Sequence, residues 1–190
     1  MDSGRSEGPL ALKIVVAGGF GVGKTTLVGA VSEILPLRTE EMLTDLSIAT
    51  DDLSGVEAKT TTTVAMDFGR ITVDDGMVLY LFGTPGQDRF WFMWDELSRG
   101  AIGGVVVVDL RRVDESFPAI DFFESRGLPF AIAVNEFPGS PEVDDGEVRE
   151  ALALSADRPV VRMRATDRRS GVDTLIALVQ HAIQVSAIAR

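Results

Sequence analysis

The first third of the chain contains a short apolar run, a stretch with helical spacing and a long polar stretch. Residues 11–17 (ALKIVVA) have the length and composition of a buried strand. Residues 26–35 place leucine, valine and isoleucine at helical spacing, and Pro36 ends that pattern. Residues 37–61 are polar and acidic without sustained periodicity, so we interpret them as a long mobile connection.

The remainder predicts a hairpin followed by alternating helices and strands. Two β-like runs, 64–73 and 77–82, flank the turn Asp74-Asp75-Gly76, so one strand should run antiparallel to the others. The helical segments are 90–99, 115–126, 142–154 and 172–189, and the strands are 104–109, 130–135 and 159–163. Such alternation builds a mostly parallel sheet with helices on both faces. We predict an α/β fold with six strands, one of them antiparallel.

The last helical segment is expected to dock on the sheet through one apolar stripe. The stripe comprises Val172, Leu175, Ile176, Val179, Ala182, Ile183 and Ser186. The one histidine, His181, falls within this helical segment, and we interpret it as a solvated helix residue rather than a catalytic one.

The segment Gly18-Gly19-Phe20-Gly21-Val22-Gly23-Lys24-Thr25 matches the phosphate-binding loop pattern G-x-x-x-x-G-K-[ST] at every fixed position. Its glycines let the backbone curl so that successive N–H groups point inward, which forms a nest for polyphosphate. The pattern assigns the Lys24 ammonium to the β- and γ-phosphates and the Thr25 hydroxyl to a bridging Mg²⁺. The alternative is a glycine-rich turn with an incidental lysine, but the order strand, loop, helix favours nucleotide binding.

Composition narrows the class of protein. A length of 190 residues with 45% apolar residues suits one globular domain. The absence of cysteine excludes a thiol nucleophile and a Cys-based metal site, and fits a reducing cytosol. The net charge of −11, without a basic stripe, argues against nucleic acid as a partner. Apolar runs such as 101–110 are too short to span a bilayer, so we predict a cytoplasmic protein that reaches membranes only through partners.

A second motif, Thr84-Pro85-Gly86-Gln87, follows the strand ending at Phe82 and resembles the Asp-x-x-Gly-Gln switch II of Ras-like small GTPases. Residues 63–68 resemble the switch I threonine and the second strand of that family. The closest resemblance is to the bacterial branch with the gliding-motility (Mgl-type) GTPases and the actinobacterial conservon-type GTP-binding proteins. It implies a G domain at 10–190 that binds GTP or GDP with Mg²⁺ and hydrolyses GTP slowly as a signalling switch. Residues 1–9 are polar, and we interpret them as a disordered lead-in.

The resemblance also implies roles for individual residues. Gln87 would orient the attacking water, the Gly86 N–H would contact the γ-phosphate, and Thr63 would join Thr25 on Mg²⁺. The implied nucleotide-binding residues are Gly18, Gly19, Phe20, Gly21, Val22, Gly23, Lys24, Thr25, Thr26, Thr63, Gly86, Asn135, Ala165 and Thr166. Proteins of this branch usually work with roadblock/LC7-type partners, which implies such a partner here, and a GTPase-activating partner would fit as well.

Two departures from the family pattern bear on metal binding and rate. Gly83 stands where the switch II aspartate would hold Mg²⁺ through water, so we expect weaker metal binding that depends on Thr25 and Thr63. Phe20 occupies a loop position that is usually small in eukaryotic relatives and would crowd Gln87. Because no arginine near Thr63 could act in cis, we expect slow intrinsic hydrolysis.

The segment expected to recognise the base departs further from the family pattern. Residues 134–138 (VNEFP) lie where the family has Asn-Lys-x-Asp; Asn135 matches, Glu136 replaces the lysine, and the aspartate that would pair with guanine N1 and N2 is missing. Without that carboxylate we expect only a modest preference for GTP over ATP. Asp109 and Asp167 are interpreted as solvated carboxylates near the same rim, and Asp167 is also a candidate for reaching the base.

Four bulky side chains, Phe90, Trp91, Phe92 and Trp94, follow Gln87 almost directly. A helix buries one face, so either part of this group forms an exposed partner surface or all of it packs under neighbouring loops.

Two other classes of function remain open. One is a nucleotide-binding scaffold with little turnover, which Phe20 and Gly83 favour. The other is a P-loop phosphotransferase, for which Arg111-Arg112 and Arg168-Arg169 are the local arginine pairs, each interpreted as solvated.

Overall fold

The computed structural model describes residues 8–35, 37–43, 62–86 and 91–188, without the side chains of 37–43, 62–65 and 91. Among these residues, seven strands form one sheet in the order β2-β3-β4-β1-β5-β6-β7. The strands are β1 Leu10–Ala17, β2 Leu37–Leu43, β3 Thr62–Asp74, β4 Met77–Gly83, β5 Gly103–Val108, β6 Phe130–Asn135 and β7 Val160–Met163. The helices are α1 Lys24–Val31, α2 Trp91–Ser98, α3 Phe117–Ser125, α4 Asp145–Ala151 and α5 Arg168–Ile188, and a 3₁₀ turn at Val113–Ser116 leads into α3.

The predicted α/β fold with one antiparallel strand is confirmed. β3 runs antiparallel to both of its neighbours, β2 and β4, whereas the other paired strands are parallel. The predicted hairpin joins β3 to β4, and its turn is closed by a hydrogen bond of 2.7 Å from the Gly76 N–H to Asp74 Oδ1.

The strand β2 is one more than the sequence predicted. It comprises the first residues of the stretch interpreted as a connection, and it pairs with β3 in antiparallel register from Leu37↔Phe68 to Leu43↔Thr62. Its residues show no alternation of apolar and polar positions that would indicate a strand. The β3 backbone supplies hydrogen-bonding partners at this edge, and such tertiary pairing overrides weak local preference. Residues 44–61 lie outside the described residues.

The core forms two layers, one on each face of the sheet. One layer packs Ile14, Leu81 and Val105 beneath α1 and α5, and the other packs β1, β5 and β6 against α3 and α4. Every residue of β5 and β6 is buried, as expected for central parallel strands that are covered on both faces. The Phe123 ring crosses β5 at Gly104, where an added Cβ would overlap it.

The sheet-facing side of α5 differs from the predicted stripe. Leu175, Leu178 and Ala182 are buried, whereas Ile176 and Ile183 are 47% and 63% exposed. The rotation is set near the start of α5, where Gly171 lies so close to α1 that an added Cβ would meet Val31 Cγ1 at 2.6 Å. By length and composition alone, α5 is long and apolar enough to cross a membrane, a property that the core helices of soluble proteins share.

The expectation that His181 is solvated is wrong. Its side chain is 4% exposed, and its Nε2 lies 3.1 Å from Nη1 of Arg158, whose guanidinium stacks on the Phe130 ring. The rotation of α5 turns this position inward. Burial lowers the pKa of His181, the charge of Arg158 lowers it further, and Asp157 raises it.

We predict that His181 makes the free energy of unfolding depend on pH near neutrality. Because its pKa in the fold lies below the ordinary value near 6.5, the unfolded chain binds the proton first, and stability falls as the pH drops below about 6.5. One proton limits the slope to about 1.4 kcal/mol per pH unit. Urea unfolding between pH 7.5 and 5.5 measures it, and the His181→Gln variant should lose this slope; equal slopes would contradict the prediction.

Candidate functional site

The glycines of the loop between β1 and α1 are required by its geometry. Gly18, Gly21 and Gly23 have φ values of +136°, +72° and +108°, a region that L side chains rarely adopt. Space is also short, because an added Cβ at Gly18 would overlap the Val107 carbonyl oxygen and one at Gly23 would lie 2.5 Å from Asn135 Nδ2. The loop therefore needs glycine at these positions, as the predicted phosphate nest does.

Lys24 closes the same loop from within. Its side chain is buried, and Nζ donates hydrogen bonds to the carbonyl oxygens of Gly18 (2.9 Å) and Gly19 (2.6 Å). Burial lowers the pKa of Lys24 to about 8, against the raising effect of the charges on Asp67 and Glu115. Gly86 lies beside this ammonium, since an added Cβ there would be 2.8 Å from Nζ. The predicted lysine and switch II glycine are thus brought together.

A carboxylate that sequence reasoning did not find lies beside Thr25. The Thr25 hydroxyl donates to Asp67 Oδ2 at 2.5 Å, and Asp67 is only 6% exposed. Asp67 pairs with Gly83 across β3 and β4, and an added Cβ at Gly83 would lie 3.1 Å from that carboxylate. Asp67 therefore occupies the space that a switch II aspartate would need. The available signal was an acidic residue between Met66 and Phe68, within an otherwise apolar part of the strand.

Two predicted site residues are described partly or not at all. Thr63 lies in β3, paired with Met42, and its side chain is outside the described residues. Gln87 lies outside them as well. Their roles stay predictions. Within the described ranges no cluster of three or more acidic or histidine side chains could hold a metal by itself.

Asn135, at the end of β6, connects two loops at the carboxyl edge of the sheet. It is 4% exposed; its Nδ2 donates to the Val22 carbonyl (2.9 Å), and its Oδ1 accepts from the Ala165 N–H (3.0 Å). These bonds hold the phosphate loop, the end of β6 and the β7–α5 loop together. Thr26, in the first turn of α1, and Thr166, in the β7–α5 loop, are exposed.

The rim where a base would lie has an unusual set of charges. The fourth position of the Asn-Lys-x-Asp motif is Pro138, which is exposed, and the Glu136 carboxylate pairs with Arg164 Nε at 3.3 Å. Asp167 Oδ1 accepts the Arg169 N–H at 2.9 Å and so caps the first turn of α5. Of the carboxylates near this rim, Glu136 is the one that follows Asn135 directly in the sequence.

The expectation that Asp109 is solvated is wrong. It is fully buried at the end of β5 and accepts two hydrogen bonds from the Arg111 guanidinium, at 2.9 and 2.7 Å. Hydrogen bonds from Arg111 lower the pKa of Asp109, against the raising effect of its burial. Arg111, which was also expected to be solvated, stacks on the Phe137 ring at 4.3 Å.

The aromatic residues of α2 divide between core and surface. Trp94 is 3% exposed, and its Nε1 donates to the Pro85 carbonyl at 3.4 Å. Phe92 is 62% exposed, as is Phe20 in the phosphate loop at 68%. Phe90 and the side chain of Trp91 lie outside the described residues. Phe92 therefore supports the first of the two interpretations, an exposed aromatic surface after switch II.

A family model described as conserved hypothetical ATP binding protein matches residues 16–185. The chain belongs to this family. A relative from Methanocaldococcus jannaschii, the uncharacterised protein MJ1339, is 31% identical over 167 residues, which cover 87% of this chain and 92% of the relative. Membership, together with the loop geometry above, identifies a nucleotide-binding P-loop protein.

Solved structures with the same fold come from the T. maritima FeoB iron transporter. Its G domain matches with a TM-score of 0.59 at 18% identity, over 93% of this chain and 99% of that domain. The cytosolic domain in GDP form I matches with a TM-score of 0.64 at 18% identity, over 93% of this chain and 65% of that one. This chain thus spans about two thirds of the length of the FeoB cytosolic domain. The likeness shows that the predicted α/β P-loop NTPase fold is correct.

Proposed function

We propose that this protein is a Mg²⁺-dependent nucleoside-triphosphate switch that binds GTP somewhat better than ATP and hydrolyses it slowly. One observation carries the proposal. The buried Lys24 ammonium, the Gly86 backbone and the Thr25–Asp67 pair converge at one end of the phosphate loop. That set has the parts that recognise a γ-phosphate and its metal ion in P-loop nucleotide switches.

The residues present fit a magnesium ion. Thr25, an exposed residue, offers a hydroxyl oxygen, and the buried Asp67 carboxylate that it contacts is a second hard oxygen donor. Mg²⁺ usually binds one or two protein groups and otherwise water and substrate phosphates. Thr25 and Asp67, with Thr63 as predicted above, would hold the ion, which when bound neutralises charge on the phosphates. Asp67 thus removes the reason to expect weak metal binding.

Slow hydrolysis remains part of the proposal. Gln87 would orient the attacking water, and Phe20 would crowd it. A phosphotransferase is disfavoured, because one arginine of each pair is engaged with a protein group: Arg111 with Asp109, and Arg168 with the Val31 carbonyl at 2.6 Å. The scaffold with little turnover stays the second candidate.

The setting of the switch is proposed from resemblance. We place residues 10–190 as the G domain of a bacterial signalling protein of the Mgl-type and conservon-type branch, acting in the cytoplasm and reaching membranes through partners. The exposed Phe92, close to switch II, supports binding of a roadblock/LC7-type or GTPase-activating partner.

Replacing Lys24 by Ala should weaken GTP and GDP binding by about 100-fold or more, because two charge-assisted contacts to phosphate are lost. Calorimetry measures the affinity, with Lys13→Ala as the matched lysine control. Unchanged affinity in the Lys24 variant would refute the proposed function.

Replacing Gln87 by Ala should spare nucleotide binding and slow single-turnover hydrolysis by about tenfold or more, which phosphate release measures.

Replacing Asp67 by Ala should raise the Mg²⁺ concentration needed for half-maximal GTP binding by about 10- to 100-fold, the usual cost of losing a group that supports a metal site. A titration of GTP binding against Mg²⁺ measures this, and Asp121→Ala, which removes an exposed carboxylate on α3, is the control. GDP binding in the presence of a chelator should stay close to wild type. An unchanged Mg²⁺ requirement would show that Asp67 has no part in metal binding.

Base selectivity should respond to the position of Pro138. The wild type is expected to prefer GTP by well under the roughly 10⁴ of a fully hydrogen-bonded polar site. Replacing Pro138 by Asp supplies an acceptor for guanine N1 and N2 and should raise the GTP-to-ATP affinity ratio about 10- to 100-fold. Competition for a fluorescent nucleotide measures it, and Pro141→Asp places the same charge elsewhere in this exposed loop. Equal ratios in both variants would contradict the prediction.

A further inference from the structure

The outer face of the phosphate loop is held by an arginine that its motif does not include. Arg112 Nη2 donates a hydrogen bond of 3.0 Å to the Phe20 carbonyl, across 92 residues of sequence. The same nitrogen lies 3.8 Å from where a Cβ on Gly21 would be, which makes it the nearest described atom outside Gly21 and its two chain neighbours. Arg112 therefore covers the Phe20–Gly21 peptide from outside.

The carbonyl of Phe20 and the N–H of Gly21 belong to that one peptide. In a trans peptide the two groups point in opposite directions, so a partner on the carbonyl side leaves the N–H directed away from it. In a phosphate nest the N–H groups face the ligand. A charged donor on the carbonyl fixes the plane of the peptide and polarises its N–H, because hydrogen bonds in series strengthen one another.

Arg112 is itself held in place by the segment after β5. Its Nη1 donates to Glu115 Oε1 at 2.9 Å, and Glu115 packs so tightly beneath Gly19 that an added Cβ there would lie 2.8 Å from Glu115 Cβ. Asp109 is 3.6 Å from Arg112, whereas it makes its short bonds with Arg111. The two consecutive arginines therefore differ in role, and Arg112 is directed at the loop.

We propose that Arg112 is a positioning residue of the phosphate site: it orients the Phe20–Gly21 peptide so that the Gly21 N–H donates to a bound nucleoside polyphosphate. This inference rests on the proposed function for the class of ligand. Because Arg112 acts on the site before any reaction, diphosphate and triphosphate should lose affinity together. The rate of hydrolysis at saturating GTP should change little.

The test compares full-length wild type, Arg112→Ala and Arg112→Lys, with Arg99→Ala as the control because Arg99 is 76% exposed and pairs with Glu96 on α2. Calorimetry with GDP and with GTP should show a loss of about tenfold for the Ala variant, the scale of one charge-assisted bond, and partial recovery for Lys. The Gly21 amide resonance should move upfield in the Ala variant without nucleotide, a change that loss of overall stability does not produce. Should the Ala variant fold poorly, Arg112→Gln, which keeps amide donors, takes its place.

The outcomes separate this inference from the proposed function. A wild type that binds GDP but releases no phosphate from GTP would refute the hydrolytic switch, and the GDP comparison among the Arg112 variants would still decide the role of Arg112. A folded Ala variant with GDP affinity within about twofold of wild type and an unmoved Gly21 resonance would overturn the inference. Unchanged affinity with slower hydrolysis at saturating GTP would also overturn it, since the arginine would then act only in the transition state.

Discussion

A loop that turns its N–H groups toward a ligand must find partners for its carbonyl groups, and in this protein those partners come both from the start of α1 and from distant parts of the chain. Lys24 takes the carbonyls of Gly18 and Gly19 from within the loop's own helix. Arg112, after β5, takes that of Phe20, and Asn135, at the end of β6, takes that of Val22. The bonds to the Gly18 and Val22 carbonyls are buried, where a polar group without a partner is costly, so the shape of the loop depends on Lys24 and on Asn135 at the end of β6.

The pairing of β3 with β4 explains how Asp67 can place a carboxylate beside Thr25 although Gly83 stands at the switch II position. β3 and β4 are antiparallel, and their register sets Asp67 directly opposite Gly83. Two opposite residues on one face of a sheet share nearly the same space, so a glycine on one strand admits a longer side chain from the other. An acidic group therefore lies beside Thr25 although Gly83 stands at the position that the switch II motif gives to aspartate. A search for the motif alone would report the group as lost.

Features that depend on local sequence were predictable, and features that depend on packing were not. The loop from Gly18 to Thr25 was predictable because its backbone shape needs glycine at fixed positions, and the buried strands because parallel strands are apolar throughout. β2 was not, since its evidence is a backbone ladder with β3. The burial of His181 was missed because the rotation of α5 is set by the contact of Gly171 with α1, which no periodicity in α5 contains.

The contacts of Trp94 connect Gly86, at the proposed γ-phosphate end of the site, to the surface of the protein. Gly86 lies beside the Lys24 ammonium, and the neighbouring Pro85 carbonyl accepts the Trp94 indole N–H. Trp94 packs edge-on against Phe122 of α3. The Arg126 guanidinium stacks on the Phe122 ring and also donates a hydrogen bond to Asp95 of α2. A buried indole cannot move without its neighbours, because interiors are close-packed. A displacement of Gly86 on binding triphosphate would therefore reach α2 and α3 as a shift of rigid elements, and it would alter the surface that carries the exposed Phe92.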